Sequence, residues 1–523
     1  MTSTLTSLLA ARASGAAPAL IDRGRAMSYR ELAAESDGVA AGLAALGVGA
    51  GDCVALWLPN VAAWLATFFA CARLGAIAVS VNTRFRSHEL ADILHRSRAK
   101  VLVFWPGFKG IDFDGLLAAC DPHALEHLEA AALYEEREPA PRIALQQKKI
   151  VSYSALAGSG TLAGSRAAPG AGCAIFTTSG TTRAPKFVLH DQRTVIRHAI
   201  DVVRGFNIDA QSTLLLAPPL CGVFGFCSAM AAIAAGRPLV MAPAWNAAEA
   251  ARDLVAHRVT HLNGTDEAAA QLLDVPGADF SGVRFFGYAA FNPAHGDIVA
   301  RGDARGLRLV GLYGASEIQA LFARQPETAP AAERSLAGGH PVGAEAAVRA
   351  RDPESGAILA HGAAGELEFL APASRMVGYH GDAEATRRAV DAEGWYRSGD
   401  LGYTAADGRF VYLARMGDAL RLGGFLVSPA EIEEVAQEAP GVQACQVVGV
   451  VRPEGLRPIA FVVPAKGAAF SEAAVLAHVR ARLAAYKVPL RVFALEAFPV
   501  TPGANATKIQ KGKLREMAEA LIH

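Results

Sequence analysis

At 523 residues, with 50 Lys+Arg against 50 Asp+Glu, the chain carries no formal net charge, and that balance excludes the basic footprint of an electrostatic nucleic-acid binder. Hydrophobic residues make up 52%, yet no apolar run reaches the roughly 20 residues that span a bilayer; the nearest candidate, 222–235, reads as a buried helix. The length suggests about two to four domains, the first dozen residues lack the basic head and apolar run of a secretory signal, and seven scattered cysteines without metal-ligand spacing suit reduced thiols in a cytoplasm.

Over 17–105 short apolar runs alternate with amphipathic patterns. Leu32, Val39, Ala40, Leu43 and Leu46 follow helical spacing, 47–52 breaks the helix, and 53–58 reads as a buried strand. A helix over 62–73, a strand over 75–81, a helix over 89–96 and a strand over 100–104 follow, implying a largely parallel sheet covered on both faces. Residues 107–170, with the charged Glu135-Glu136-Arg137-Glu138 and the Lys148-Lys149 pair, read as surface connection. They lead to a strand at Ala174-Ile175-Phe176 and then to Thr177-Thr178-Ser179-Gly180-Thr181-Thr182-Arg183-Ala184-Pro185-Lys186. Hydroxyls, a glycine that lets the backbone approach closely and a lysine in one turn can hold a polyphosphate; a solvated loop has the same composition. The spacing differs from a P-loop, which needs glycine directly before the lysine and a hydroxyl directly after it.

Further strands are expected at 213–217, 239–241, 283–288 and 307–314, with a strand end at 261–266, the last two strands and this strand end running into loops, and doubly wound sheets bind ligands at such carboxyl ends. Over 338–413 short strands with turns such as Asp407-Gly408 mark a β-rich unit. A final segment about the size of a small domain begins near Gly417.

Five more stretches accompany the hydroxyl-rich loop: Tyr313-Gly314-Ala315-Ser316-Glu317; Trp395-Tyr396-Arg397-Ser398-Gly399-Asp400-Leu401-Gly402; Arg415 through Gly424-Phe425-Leu426-Val427-Ser428-Pro429; Tyr486-Lys487-Val488-Pro489; and Thr507-Lys508-Ile509-Gln510-Lys511. In this order they resemble the adenylate-forming superfamily of acyl-CoA synthetases, amino-acid adenylation domains and luciferases. The resemblance covers nearly the whole chain, starting at Ser28-Tyr29-Arg30-Glu31-Leu32. It implies an α/β fold: a large N-terminal adenylation domain over 1–416, of layered α/β subdomains plus a β-rich subdomain, and a small mobile α+β C-terminal domain over 417–523.

The resemblance also implies the chemistry. A carboxylate attacks the α-phosphorus of ATP, pyrophosphate leaves, and a thiol then takes the acyl group from the adenylate. Thr178, Ser179, Gly180, Thr181, Thr182 and Lys186 are implied around the β- and γ-phosphates, Glu317 on Mg²⁺, and catalytic Lys508 on the substrate carboxylate and α-phosphate. Asp400 would accept from the ribose hydroxyls beside Arg415, Tyr313 would stack on adenine next to Gly314, Ala315 and Ser316, and Gly287-Tyr288-Ala289-Ala290 would line the base's other side. For the second step the C-terminal domain would rotate about Gly417, withdrawing Lys508 and bringing Gly423, Gly424 and Phe425 to coenzyme A. Apart from the resemblance, Lys508 reads as a solvated charge, Asp400 as a turn residue and Glu317 as a helix cap.

Several residues depart from the family pattern. Arg183 and Phe187 stand where glycine is usual, which would strain the loop if those positions need positive φ; Thr507 likewise replaces glycine. The stretch Pro219-Leu220-Cys221-Gly222, followed by Val223-Phe224-Gly225, lacks the histidine common in CoA ligases, and no aspartate lies in 218–235 to pair with an α-ammonium group. Leu312, after Gly311, should shorten the acid pocket; Asn263, Thr265 and Asp266, where relatives are often apolar, read equally as groups that recognise a polar substituent and as polar loop residues with no ligand role. The expectation is a cytoplasmic AMP-forming ligase that joins a compact aryl, alicyclic or short- to medium-chain acid to coenzyme A, using ATP and Mg²⁺, with no nucleic-acid partner and no membrane span. Loading of a carrier protein, a homodimer, and a non-catalytic nucleotide-binding relative stay open.

Overall fold

The computed structural model describes residues 3–14, 17–134, 145, 148–178, 185–291, 295–422, 425–452, 455–483, 485–502 and 507–522, without the side chains of 421, 425, 426, 501, 502, 507 and 508. Local sequence signals start the N-terminal elements. Ser28 caps the helix Tyr29–Ala45: its hydroxyl accepts from the Glu31 amide while Glu31 accepts from the Ser28 amide, a reciprocal capping box. The apolar helix Ala62–Leu74 ends at Gly75, whose left-handed φ of 70° few other residues adopt without strain.

Two large sheets form the layers. The first runs Gly378–Tyr379, Lys186–Asp191, Gly172–Thr178, Ile77–Ser80, Cys53–Trp57, Val101–Phe104, Ala130–Leu133, Lys149–Ser152, parallel from Gly172–Thr178 onward. The second has a parallel half, Leu309–Ala315, Phe285–Ala289, His261–Thr265, Leu214–Leu216, Leu239–Met241 and Pro18–Asp22. Its other half is antiparallel, through Gln319–Arg324, Gly338–Pro341, Phe410–Arg415, Trp395–Thr404, Gly365–Leu370 and Ala347–Arg351. One core joins the facing sides of both sheets through the helices Tyr29–Ala45, Ala62–Leu74, Gln192–Gly205 and Val223–Ala235. Separate clusters cover the outer faces, one under Ser87–Ser97, the other under Ala247–Ala256 and Asp266–Leu273. The layered α/β and β-rich expectation is met, with two differences.

Residues 107–170 are not merely surface connection. Ala130–Leu133 and Lys149–Ser152 extend the first sheet, and Ala130, Ala131, Ala132 and Leu133 are all buried. Alanine has weak strand preference, so composition hid a strand that neighbouring strands impose. Pro18–Asp22, expected with the first layered unit, pairs instead with Leu239–Met241 in the second sheet. C-terminally, Val442–Arg452, Gly455–Pro464 and Val492–Ala494 form a small sheet beside the helices Pro429–Gln437, Glu472–Arg480 and Lys511–Leu521.

Candidate active site

The described ends of the hydroxyl-rich stretch lie on two antiparallel strands. Thr177 and Thr178 end one strand, pairing with Phe187 and Lys186 of the next. Ser179, Gly180, Thr181, Thr182 and Arg183 lie outside the described residues. The strain anticipated at Phe187 is absent: the residue sits in a regular strand, buried, with the Arg96 guanidinium 4.2 Å from its ring centroid. Lys186 is exposed and places its ammonium 4.6 Å from the Tyr379 ring centroid, a cation–π distance. The Tyr379 hydroxyl donates to Glu317 Oε1 at 2.9 Å. Lys186 and the candidate metal ligand thus meet on one tyrosine.

Glu317 lies in a 3-10 turn, Ser316–Ile318, between Leu309–Ala315 and Gln319–Arg324, and is 8% exposed. This turn is strained: Gln319 has φ 64° and ψ 153°, and Leu321 has φ 63°, values costly for residues with a Cβ. Long-range bonds hold it. The Gln319 amide donates to the carbonyls of Thr194 and Ser374, both at 3.2 Å, and the Met376 amide donates to the Glu317 carbonyl at 2.7 Å. His190 Nε2 meets the Ser316 carbonyl at 2.7 Å and His198 Nε2 meets the Ala320 carbonyl at 2.6 Å. A carbonyl only accepts, so each imidazole carries its proton on Nε2. Burial pushes both histidines down to about 4, keeping them neutral. Neither histidine, nor Tyr379, was anticipated from the sequence; two histidines eight residues apart in an otherwise apolar strand and helix face were the available signal.

Asp400 and Arg415 face each other across paired strands. Asp400 is 2% exposed; Oδ2 accepts from the Tyr313 hydroxyl at 2.5 Å, and Oδ1 lies 2.8 Å from Arg415 Nη1. Oδ1 is therefore ion-paired with the guanidinium, and a carboxylate oxygen has lone-pair capacity for a second donor. Burial raises the Asp400 carboxyl; Arg415 and Tyr313 oppose that, while the Glu317 charge adds to it. Glu317 and Arg415 both act on Tyr379 and Tyr396 as well, which places the four groups in one neighbourhood. The Tyr313 ring is buried and stacks on Phe369 at 5.2 Å and 21°, with Phe410 edge-on, so one face of the expected adenine platform is already taken.

Strand alternation sorts the remaining candidates. Gly287, Asn263 and Leu312 converge: a Cβ added at Gly287 would lie 2.5 Å from Asn263 Oδ1 and 2.8 Å from Leu312 Cδ1. Phe224 lies buried in the same core as Leu312, and Ser228, on the same helix as Phe224, receives a 3.3 Å bond from Asn263 Nδ2. Cys221 is half-buried just ahead, its thiol pushed up to about 12 by burial, and Gly222 caps the helix. Ala289 packs on this core and Ala290 is exposed beside it.

Other expected pocket residues point elsewhere. Tyr288 turns into the outer core and donates to the Ser335 carbonyl at 3.1 Å, so only its main chain can border a base. A Cβ at Gly311 would lie 2.2 Å from the Leu336 carbonyl, and one at Gly225 would lie 2.3 Å from the Pro219 carbonyl; both glycines serve close packing. Asp266 is 1% exposed and accepts from the Glu267 and Phe291 amides at 2.9 and 2.8 Å. It holds a loop, not a substrate. Gly314 is a close-approach position too, 2.6 Å from Ala320 Cα for an added Cβ, and Ala315 and Ser316 lead into the Glu317 turn.

On the C-terminal side Gly417 is exposed, and a Cβ added there would meet nothing within 4 Å. Gly423 and Gly424 lie outside the described residues; Phe425 and Lys508 are described only as backbone, in the hairpin strands Phe425–Val427 and Thr507–Ile509.

A family model described as AMP-binding enzyme matches residues 9–380, and one described as AMP-binding enzyme C-terminal domain matches 431–504. The sequence is similar to a sulfoacetate–CoA ligase of Cupriavidus necator, at 30% identity over 94% of this chain and 93% of that protein. It is equally similar to a feruloyl-CoA synthase of an Amycolatopsis species, at 30% identity over 97% of this chain and 96% of the relative. In fold it is similar to the crystal structure of ATP-bound MatB from Rhodopseudomonas palustris, with a TM-score of 0.84 at 23% identity, covering 99% of this chain and 100% of that one.

Proposed function

The chain belongs to the AMP-binding enzyme family, and from that membership we propose that it is an ATP-dependent, AMP-forming ligase that joins a compact carboxylic acid to coenzyme A. The observation that carries the reading is the convergence of Lys186, Glu317 and the Asp400–Arg415 pair around Tyr379 and Tyr396. A triphosphate needs cations and hard-metal ligands on one side and a ribose acceptor on the other, and the Asp400 carboxylate, held by Arg415 and Tyr313, is such an acceptor. The Glu317 carboxylate fits Mg²⁺: it is a hard oxygen donor, and Tyr379 is its hydrogen-bond partner at Oε1 only. Bound there, Mg²⁺ would supply neutralisation of phosphate charge.

In the first half-reaction Lys186 and the hydroxyl-rich stretch before it hold the β- and γ-phosphates, Asp400 orients the ribose, and Lys508 neutralises charge as the carboxylate attacks the α-phosphorus and pyrophosphate departs. In the second, the coenzyme A thiol attacks the acyl carbon and AMP leaves. The division falls between 1–416 and 417–523, with Gly417 as pivot and Gly423, Gly424 and Phe425 on the coenzyme A side. The acid lies beside Phe224, Asn263 and Leu312, which Gly287 lets pack closely against its own strand. Leu312 limits its depth, which favours aryl, alicyclic and short acids. The Ser228 hydroxyl donates to the Phe224 carbonyl at 3.0 Å, so Asn263 must use its Nδ2 on that oxygen. Its buried Oδ1 is left without a donor among the described residues, and an acid bearing a hydroxyl or amino group supplies one.

The test is pyrophosphate release with ATP and Mg²⁺ across aryl, alicyclic, short-chain and long-chain acids, each with coenzyme A, with a holo-carrier protein, or alone. Multiple turnover with compact acids and coenzyme A is expected. Preference for long-chain acids refutes the pocket assignment, turnover only with the carrier replaces the acceptor, and no release with any acid refutes the ligase reading.

A further inference from the structure

A cluster unrelated to the nucleotide site lies on the outer side of the first sheet. His95, in the last turn of the helix Ser87–Ser97, meets His123, Glu126 and His127 from the 3-10 turn Pro122–Leu125 and the residues just after it. His123 Nδ1 is 3.1 Å from Glu126 Oε2, His127 Nε2 is 3.3 Å from Glu126 Oε1, and His95 Nδ1 is 3.9 Å from the same Oε1. The His95 and His123 ring centroids are 5.1 Å apart. One ligand atom each from His95, His123 and Glu126 lies within 4.8 Å of the others.

Two features separate this arrangement from ordinary surface ion pairs. His95 Nδ1 is buried and has no hydrogen-bond partner among the described residues, so a ring nitrogen is held out of water and aimed at a carboxylate that it does not reach. The spacing also fits a metal. Around a tetrahedral ion with bonds of about 2.0–2.2 Å, neighbouring ligand atoms sit about 3.4 Å apart, and one atom each from His95, His123 and Glu126 already lies within 4.8 Å of the others, a span that side-chain rotation of the partly exposed groups closes. Two imidazoles and a carboxylate suit a borderline divalent ion and are poor ligands for Mg²⁺ or Ca²⁺.

We infer that His95, His123 and Glu126 form a binding site for a zinc-class divalent ion, with His127 orienting the Glu126 carboxylate. The ion would tie the helix Ser87–Ser97 to the 122–127 segment, two pieces that pack on each other over the outer core. Because binding favours only the folded arrangement, it raises stability with metal concentration. None of these residues has a part in the proposed ligase chemistry, so the site stands apart from it.

The experiment titrates the full chain with Co²⁺, following its visible absorption, and measures the melting temperature with and without Zn²⁺. His95→Ala, Glu126→Gln and the double variant His95→Ala/His123→Ala are run beside it. The rings are partly exposed, so these variants should fold, and pyrophosphate release reports on that. The expected result is one equivalent of Co²⁺ in a low-coordinate environment, displaced by Zn²⁺, with affinity about 10- to 100-fold weaker in each single variant, and a Zn²⁺-dependent rise in melting temperature that the double variant lacks. Co²⁺ spectra and melting shifts identical in the parent and the double variant overturn the assignment, as does a parent spectrum unchanged from the aquo ion.

Discussion

Replacing Tyr379 by phenylalanine isolates the contact that joins the Lys186–Asp191 strand to Glu317. Phenylalanine keeps the ring over which the Lys186 ammonium sits at 4.6 Å and removes only the hydroxyl that donates to Glu317 Oε1 at 2.9 Å. Burial and the Glu317 charge hold the Tyr379 hydroxyl far above its ordinary value, so it is a donor at any working pH. A hydrogen bond to a charged acceptor contributes about 1.5–3 kcal/mol, and tenfold in an equilibrium costs about 1.4 kcal/mol. Loss of a partner that orients a metal-binding carboxylate typically weakens the metal about 10- to 100-fold. Since Glu317 is 8% exposed and water can partly replace the hydroxyl, the lower end is expected. Initial rates of pyrophosphate release against free Mg²⁺ should show half-saturation raised about tenfold, with the saturating rate changed less and the melting temperature nearly the same. A Mg²⁺ dependence identical to the parent's refutes the positioning role, and with it the placement of the metal on Glu317.

Three other outcomes are expected. His190, His198 and His261 are all pushed down to about 4 by burial; the unfolded chain therefore binds more protons between about pH 6.5 and 4. Stability should be complete above neutrality and decline as the pH falls through 6 toward 4, which urea melts across that range would follow; a flat profile contradicts the buried neutral state. Gly225→Ala would set a Cβ 2.3 Å from the Pro219 carbonyl and 2.6 Å from that of Pro218, and because these are backbone atoms the helix must shift. A loss of about 1–3 kcal/mol and a raised KM for the acid are expected, checked by denaturant melts and kinetics. Asn263→Leu removes the open acceptor; the preference for an acid with a hydroxyl or amino group over its analogue without one should fall about tenfold, and an unchanged preference refutes the contact.

Much of this was legible in the sequence where a local rule decides the outcome. Valine- and leucine-rich runs such as 101–104 became strands, and Ser28 with Glu31 became a capping box. The alternation of side chains along a strand could also have been applied more strictly. Gly311 and Leu312 are adjacent, as are Gly287 and Tyr288, so neither pair can face one pocket, and the structure divides both. What local rules cannot supply is the partner across the chain. Tyr379 stands 62 residues from Glu317, and His190 and His198 reach carbonyls more than 120 residues away.

The turn that presents Glu317 shows why that matters. Its sequence, Ser316-Glu317-Ile318-Gln319-Ala320-Leu321, contains no glycine, and no turn preference predicts positive φ at both Gln319 and Leu321. Backbone in such regions persists only when its surroundings over-determine it. Here the Gln319 side chain is bound twice, the carbonyls of Ser316 and Ala320 each receive an imidazole proton, and that of Glu317 receives the Met376 amide. Those donors come from the strand Lys186–Asp191, the helix Gln192–Gly205 and the 374–376 segment. The strand that carries His190 also carries Lys186 at its start. A displacement of that strand would move Lys186 and release a clamp on the Glu317 turn together. Lys186 and the Glu317 turn are thus geometrically one unit, held by histidines whose neutrality the burial itself enforces.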